Sequence, residues 1–174
     1  KLKTLAEPKK FQLKQLIQSS IANPDLAANE EFNQRVTDAR YRQAAASGRL
    51  QVVQGKLEQA QNAIRESAAN PAAILEKSYM LQKDLQQLSI LMNGDGTRAR
   101  REFETAPSIS GRIGSAQGAS WSSSAPIPET QKASLAIAEK QLMDFENKLK
   151  AAEARMKEIE DELNQLKAPY YPGR

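Results

Sequence analysis

Carboxylates that could perform acid–base chemistry outside a regular helix occur in one stretch near the middle of the chain. Asp95, Glu102 and Glu104 lie there, between two helical patterns. A glycosidase needs two carboxylates held about 5–10 Å apart across a sugar cleft. Nothing in the sequence holds Glu102 and Glu104 around a cavity, so we expect this chain to contain no catalytic residues.

Metal and cofactor sites are equally poorly supported. The sequence has no cysteine and no histidine, which excludes Cys–His catalysis and the usual zinc ligand sets. The stretch NGDG at 93–96 resembles the start of a calcium loop, but the further acidic ligands and the glutamate at the twelfth position are missing. We therefore expect Gly94 to cap a helix, and we expect no metal and no cofactor.

Arginines and the only tryptophan are the remaining candidates for a binding site. Guanidinium groups can hold anionic ligands through paired hydrogen bonds. The alternative for the first three arginines is a solvated loop in which they pair with Glu102 and Glu104, and we favour that pairing. The candidate interaction residues are Arg98, Arg100, Arg101, Arg112 and Trp121.

Apolar residues at alternating spacings of four and three predict the helices that must position these side chains. They predict two long helices over 25–67 and 128–167, and shorter ones over 9–22 and 71–92, after a lead-in at 1–8. The seam of the last helix is unbroken and comprises Leu135, Ala138, Leu142, Phe145, Leu149, Ala152, Met156, Ile159, Leu163 and Leu166. Asn23-Pro24 and Asn70-Pro71 are suited to N-caps that separate neighbouring helices.

The predicted fold is all-α: a single domain, 1–174, forming an elongated antiparallel bundle in the order up-down-up. The middle helix is shorter than the long ones, so residues 93–127 must cross the remaining gap. That segment could be a flexible linker, a binding loop that displays Trp121, or a packed strap loop. We favour the strap, with Ile109, Ile113 and Trp121 as apolar anchors. Trp121→Ala is then expected to cost about 3 kcal/mol or more of stability.

Charge and hydropathy exclude other classes of protein. The net charge of +4 comes from acids and bases that are mixed throughout, so we expect no nucleic acid partner. No apolar run approaches the roughly 20 residues of a membrane span, and we expect no membrane partner. The chain opens on Lys1 rather than Met, and we expect it to be a fragment of a larger protein.

Several short motifs resemble the helical C-terminal region of large bacterial proteins with sortilin-like, BNR-repeat β-propellers. The matching stretches are PSISGR at 107–112, WSSSAP at 121–126, Thr130-Gln131 and the tail PYYPGR at 169–174. The resemblance is concentrated in residues 93–142. In the tail, Tyr170 and Tyr171 stand where that family has Trp and a small residue. No propeller blade is present in this sequence.

The resemblance implies a non-catalytic helical scaffold in a secreted or periplasmic protein, many relatives of which are catalogued as glycosyl hydrolase-like. Its partner would be the propeller of the same parent or another protein, with this chain a monomer. Two alternatives stay open. One is a free-standing coiled-coil assembly protein, a dimer through its last helix. The other is a carbohydrate-binding accessory module that uses the 93–127 loop.

Overall fold

The computed structural model describes residues 9–11, 25–67, 72–118 and 125–167, and the backbone of 119–121. These residues form helices α1 (Leu26–Glu66), α2 (Ala72–Asn93), α3 (Gly96–Ala99), α4 (Ile109–Trp121) and α5 (Glu129–Gln165). The helices pack against each other in an all-α bundle, which confirms the predicted fold class. The predicted helix over 9–22 lies, apart from residues 9–11, outside the described residues, as do 1–8 and the PYYPGR tail.

Helix α1 begins after an aspartate rather than after the predicted asparagine. The Asp25 carboxylate accepts a hydrogen bond of 2.8 Å from the N–H of Ala28 in the first turn. The expectation that Asn23 caps this helix is therefore wrong. Aspartate is as good an N-cap as asparagine, and its negative charge also interacts favourably with the positive end of the helix dipole. The second predicted cap, Asn70, lies outside the described residues.

The core is the continuous apolar seam that the heptad spacing predicts in α1 and α5. In α5 every predicted seam residue except Leu166 is at most 3% exposed. Leu166 follows the last turn of the helix and is 42% exposed, because the bundle ends there. The buried seam of α1 comprises Phe32, Val36, Ala39, Ala46, Leu50, Val53, Leu57, Ala60 and Ile64.

A ladder of ion pairs fixes α1 and α5 as parallel neighbours. Its four rungs are Arg35–Glu139, Arg42–Glu146, Arg49–Glu153 and Lys56–Glu160, with N–O distances of 2.7, 2.7, 2.5 and 3.0 Å. Successive rungs lie seven residues apart on both helices, so the partners are always separated by the same length of chain. Only parallel helices in heptad register give this pattern.

Helix α2 runs in the opposite direction along one half of this pair. Lys77 pairs with Glu162, whereas Asp84, seven residues later, pairs with Arg155, seven residues earlier. Gln61 of α1 also donates to Gln82 of α2 at 3.1 Å. The buried face of α2 consists of Ile74, Ser78, Leu81, Leu85, Leu88 and Met92, again at heptad spacing. The hydroxyl of the fully buried Ser78 donates to the Leu75 carbonyl at 2.7 Å, so it costs little.

Helix α4 covers the other half, and it makes the segment 93–127, expected to pack down as a strap loop, more helical than a loop. This segment contains a helix of 13 residues whose buried face, Ile109, Ile113 and Ala116, is at most 1% exposed. Both isoleucines are buried, as predicted. Three glycines favour a loop locally, but packing of an apolar face on α1 and α5 outweighs that propensity.

Helices α2 and α4 therefore follow one another along the α1–α5 pair, and together they take the place of a third long helix. Ser110, in the first turn of α4, accepts from Gln43, whereas Ala125, beyond its end, accepts from Asn29. Helix α4 thus runs antiparallel to α1, in the same direction as α2. The order is up-down-up, and Pro128 then caps the start of α5.

Candidate functional site

Helices α2 and α4 are joined by a loop that leaves the bundle and returns to nearly the same place. Gly94 ends α2 with φ +89° and donates to the Ile90 carbonyl at 2.7 Å, as predicted for a left-handed cap. A Cβ placed on Gly94 would lie 3.7 Å from the Cβ of Ser108, the residue before α4. Residues 95–107 are therefore an excursion whose two ends touch. We call them the excursion loop.

The excursion loop begins with a short capped helix, α3. The Asp95 carboxylate accepts hydrogen bonds from the N–H groups of Thr97 and Arg98, at 2.9 and 3.1 Å. The carboxylate is therefore engaged as the N-cap of α3, a role that the NGDG pattern, in which only Gly94 is expected to cap a helix, did not predict. In the part of the chain that the structure describes, no group of three or more acidic, histidine or cysteine side chains could hold a metal ion.

The end of α3 is a Schellman motif with an unusual residue in its left-handed position. The Phe103 N–H donates to the Arg98 carbonyl at 3.2 Å, and the Glu102 N–H donates to the Ala99 carbonyl at 3.1 Å. Glu102 has φ +57°, where glycine is usual. The loop is thus fixed by its own backbone hydrogen bonds, at the cost of a strained glutamate.

The side chains of the excursion loop face solvent. Residues 96–107 are all exposed, and Phe103 retains 58% of its accessible surface. Arg98, Arg100 and Arg101 are exposed as well, but the predicted pairing with Glu102 and Glu104 is wrong: no ion pair joins them among the described residues. A loop that turns at a left-handed residue, Glu102, does not place charges at the fixed spacing that a helix provides.

The paired arginines of α1 show the contrast. A hydrogen bond to Glu139 raises the pKa of Arg35, and hydrogen bonds to Glu146 and Glu153 do the same for Arg42 and Arg49. Burial opposes the shift but is the smaller effect. Those guanidinium groups are committed to the bundle, whereas those of the excursion loop remain available to a partner.

A cleft of about 300 Å³ lies where the excursion loop rests on the bundle. Its walls include Arg98 and Glu104 from the loop, Leu91 from α2 and Gln141 from α5. The Oε1 atom of Gln141 is buried and has no hydrogen-bond partner in the structure. An unpaired buried acceptor costs free energy, so Gln141 makes an unfavourable contribution at this junction.

The five predicted interaction residues do not form one cluster. Arg98 lies in α3, and Arg100 and Arg101 follow it, all in the excursion loop. Arg112 lies in α4, half-buried, and its Nε atom is buried without a partner. Trp121 is the last residue of α4, about 18 Å along the helix axis from the loop at ~1.5 Å per residue. Its side chain is outside the described residues, so the expected cost of Trp121→Ala stays a prediction.

Sequence reasoning missed two features of this surface. Phe103 had no distinguishing signal, because nothing in the residue types marks Glu102 as left-handed. The basic side of the ion-pair ladder did have a signal, since Arg35, Arg42, Arg49 and Lys56 recur every seven residues. Tyr41 and Tyr79 are 73% and 51% exposed, because they lie on outward faces of α1 and α2.

Comparison with known proteins adds no relative. No known protein family, curated protein or solved structure matches the chain. Among the described helices, none combines the length and the apolar character that crossing a membrane requires.

Proposed function

We propose that this chain is a non-catalytic helical scaffold and interaction domain of a larger, secreted or periplasmic propeller protein, and that it docks on that propeller or on a partner protein. The observation that carries the proposal is the excursion loop. An ordered, solvent-facing loop projects from a bundle whose core is continuous on both sides of it. The motifs at 107–112 and 121–126 supply the link to propeller proteins, by resemblance.

The packing favours this proposal over a coiled-coil assembly protein. Pairing between chains through the last helix would need a free apolar seam on α5. That seam is at most 3% exposed between Leu135 and Leu163, where it packs on α1, α2 and α4 of the same chain. Self-association would therefore have to use another surface, and we propose a monomer.

The packing also argues against a sugar-binding module built on the whole of 93–127. About a third of that segment is α4, and its Ile109, Ile113 and Ala116 side chains are buried in the core, where they cannot contact a ligand. The acids of the segment are no better suited to hydrolysis, since Asp95 caps α3 and Glu102 occupies a left-handed turn. We therefore propose that the chain itself performs no reaction.

The test is a calorimetric titration in which this chain, as a separate protein, is added to the propeller that we expect to be encoded ahead of Lys1. Saturable one-to-one binding, with the chain monomeric in sedimentation, would support a docking scaffold. If the upstream sequence encodes no propeller, or if the folded chain does not bind it at concentrations up to about 100 μM, the proposed function is wrong.

A further inference from the structure

The excursion loop contains the only pair of adjacent arginines in the chain. The order is Arg98, Ala, Arg100, Arg101, and Glu102 and Glu104 come after them. The arginines and both glutamates are exposed, and none forms an ion pair with a described residue. The three arginines and the three acids of the loop leave it without net charge. Its charges can therefore be distinguished by their order along the chain and not by their sum.

The charge of the loop changes sign at one peptide bond, between Arg101 and Glu102. Arginines occupy the first, second and fourth positions before this bond, and glutamates occupy the first and third positions after it. Endoproteases bind the residues around the bond that they cut one by one, each in its own pocket, and a carboxylate in a pocket selects arginine. An arginine series on one side of a single bond suits such a cleft, whatever the net charge of the loop.

The segment around this bond can open without disturbing the core. An endoprotease binds its substrate as an extended strand, whereas α3 and the turn after it are not extended. Helix α3 has no buried residue, and backbone hydrogen bonds such as that from Phe103 to Arg98 close its end. Glu102 has φ +57°, and an extended backbone releases that strain. Opening therefore sacrifices little apolar burial, which is the kind of local unfolding that proteolysis of a folded protein uses.

A cut in the excursion loop would leave the bundle assembled. The two ends of the loop, Gly94 and Ser108, already touch. The part of the chain before the cut contains α1 and α2, and the part after it contains α4 and α5. The ion-pair ladder joins α1 to α5, while α2 packs on α5 and α4 packs on α1. The two products would thus remain one folded unit.

We propose that the excursion loop is a processing site, at which an arginine-specific endoprotease with carboxylate-lined pockets hydrolyses the bond between Arg101 and Glu102. Water is consumed as this bond breaks, so that the Arg101 carbonyl becomes a carboxylate and the Glu102 nitrogen becomes an ammonium group. The product is a noncovalent complex of residues 1–101 and 102–174. This inference goes beyond the proposed function and does not depend on a propeller, since it follows from the loop alone.

The experiment treats the whole folded chain with a subtilisin-like endoprotease specific for paired basic residues. Mass spectrometry identifies the bonds that are cut, and size-exclusion chromatography shows whether the fragments stay together. We expect a cut after Arg101 and co-elution of both fragments at the volume of the intact chain. Lys9 and Lys10 are an exposed basic pair without a third basic residue two positions before them. Cleavage after Lys10 should be at least about tenfold slower, and the reverse order would overturn the assignment.

Variants test whether the arginines are recognised. Arg101→Gln removes the residue before the bond and should slow cleavage at this bond at least about a hundredfold, and Arg98→Gln about threefold or more. Arg40→Gln is the matched control, since Arg40 is exposed on α1 and lies outside the loop. It should leave the rate within about twofold. Equal cleavage of the chain and of Arg101→Gln would overturn the proposal.

Opening of the loop is tested separately from recognition. Glu102→Gly relieves the strain of the closed loop, so the opened fraction falls and the chain should be cut about threefold more slowly or less. A synthetic peptide of residues 95–107 with the same substitution measures the preference of the protease for the residue after the bond. The chain rate is divided by the peptide rate. A ratio that Glu102→Gly leaves unchanged would contradict the opening step on which cleavage depends.

The state of the protein in its own organism decides whether the site is used. Mass spectrometry of the mature protein should find a new amino terminus at Glu102. A bond that stays intact there, although the purified protease cuts it, would show an accessible loop and overturn the processing site. Fragments that separate and lose their helical circular dichroism would overturn the two-chain product.

Discussion

Replacing Ile113 with alanine tests whether the packing of α4 on the bundle contributes to the stability of the fold. The side chain is 1% exposed and sits one helical turn after the fully buried Ile109. The substitution removes three carbons, which at ~0.8 kcal/mol each gives about 2.4 kcal/mol of lost transfer free energy. The cavity left behind adds to this loss, so we expect a destabilisation of about 3 kcal/mol.

The assay is urea unfolding followed by circular dichroism at constant protein concentration. A matched variant one residue away, Gly114→Ala, distinguishes a helix from a packed loop. Gly114 is exposed and a new Cβ there would meet nothing within 4 Å. In a helix interior this change should stabilise by roughly 0.5–1 kcal/mol. A loss below about 0.5 kcal/mol for Ile113→Ala, or a destabilisation by Gly114→Ala, would refute the packing of α4 derived above.

Four further variants test the junction and the ladder by the same unfolding assay. Gly94→Ala should destabilise by about 1 kcal/mol and Glu102→Gly should stabilise by a similar amount, because both positions have positive φ; equal effects of one sign would contradict this. Gln141→Met should stabilise by about 1 kcal/mol by removing the unpaired acceptor, and a loss would mean that Oε1 has a partner. Glu146→Gln should cost at most about 1 kcal/mol, and less in 1 M salt, since the pair with Arg42 is half-exposed. The hydrogen bond raises the pKa of Arg42 above its ordinary value, so its stabilisation is complete below that value and should stay constant from about pH 7 to 10. A difference between wild type and Glu146→Gln that shrinks across that range would contradict this assignment.

The long helices could be predicted closely because their seams carry a redundant signal. The predicted spans 25–67 and 128–167 differ from α1 and α5 by no more than two residues at any end. Each heptad repeats the same spacing of apolar residues, so one position of low helix propensity, such as Gly48, does not obscure the pattern. The up-down-up order followed from the shorter middle helix and the segment that must return the chain to the start of the bundle.

Helix α4 and the excursion loop could not be predicted in the same way. Helix α4 contains Gly111, Gly114 and Gly118, so its local propensity is low and only burial of its apolar face makes it a helix. The excursion loop depends on Glu102 adopting a left-handed conformation, which sequence-based prediction expects at glycine. Both features arise from tertiary context, which neither composition nor periodicity records.

Removing the excursion loop tests most directly whether the bundle is stable without this loop. A bundle that does not need the loop leaves the loop free for recognition. Because Gly94 and Ser108 touch, two glycines can replace residues 95–107 without moving α2 or α4. Loop shortening stabilises by about 0.6 kcal/mol per halving, and losing the α3 contacts opposes it, so the free energy of unfolding should stay within about 1.5 kcal/mol of the full chain. A loss of cooperative unfolding, or a drop of more than about 3 kcal/mol, would show instead that the loop is a structural strap and that recognition must lie elsewhere.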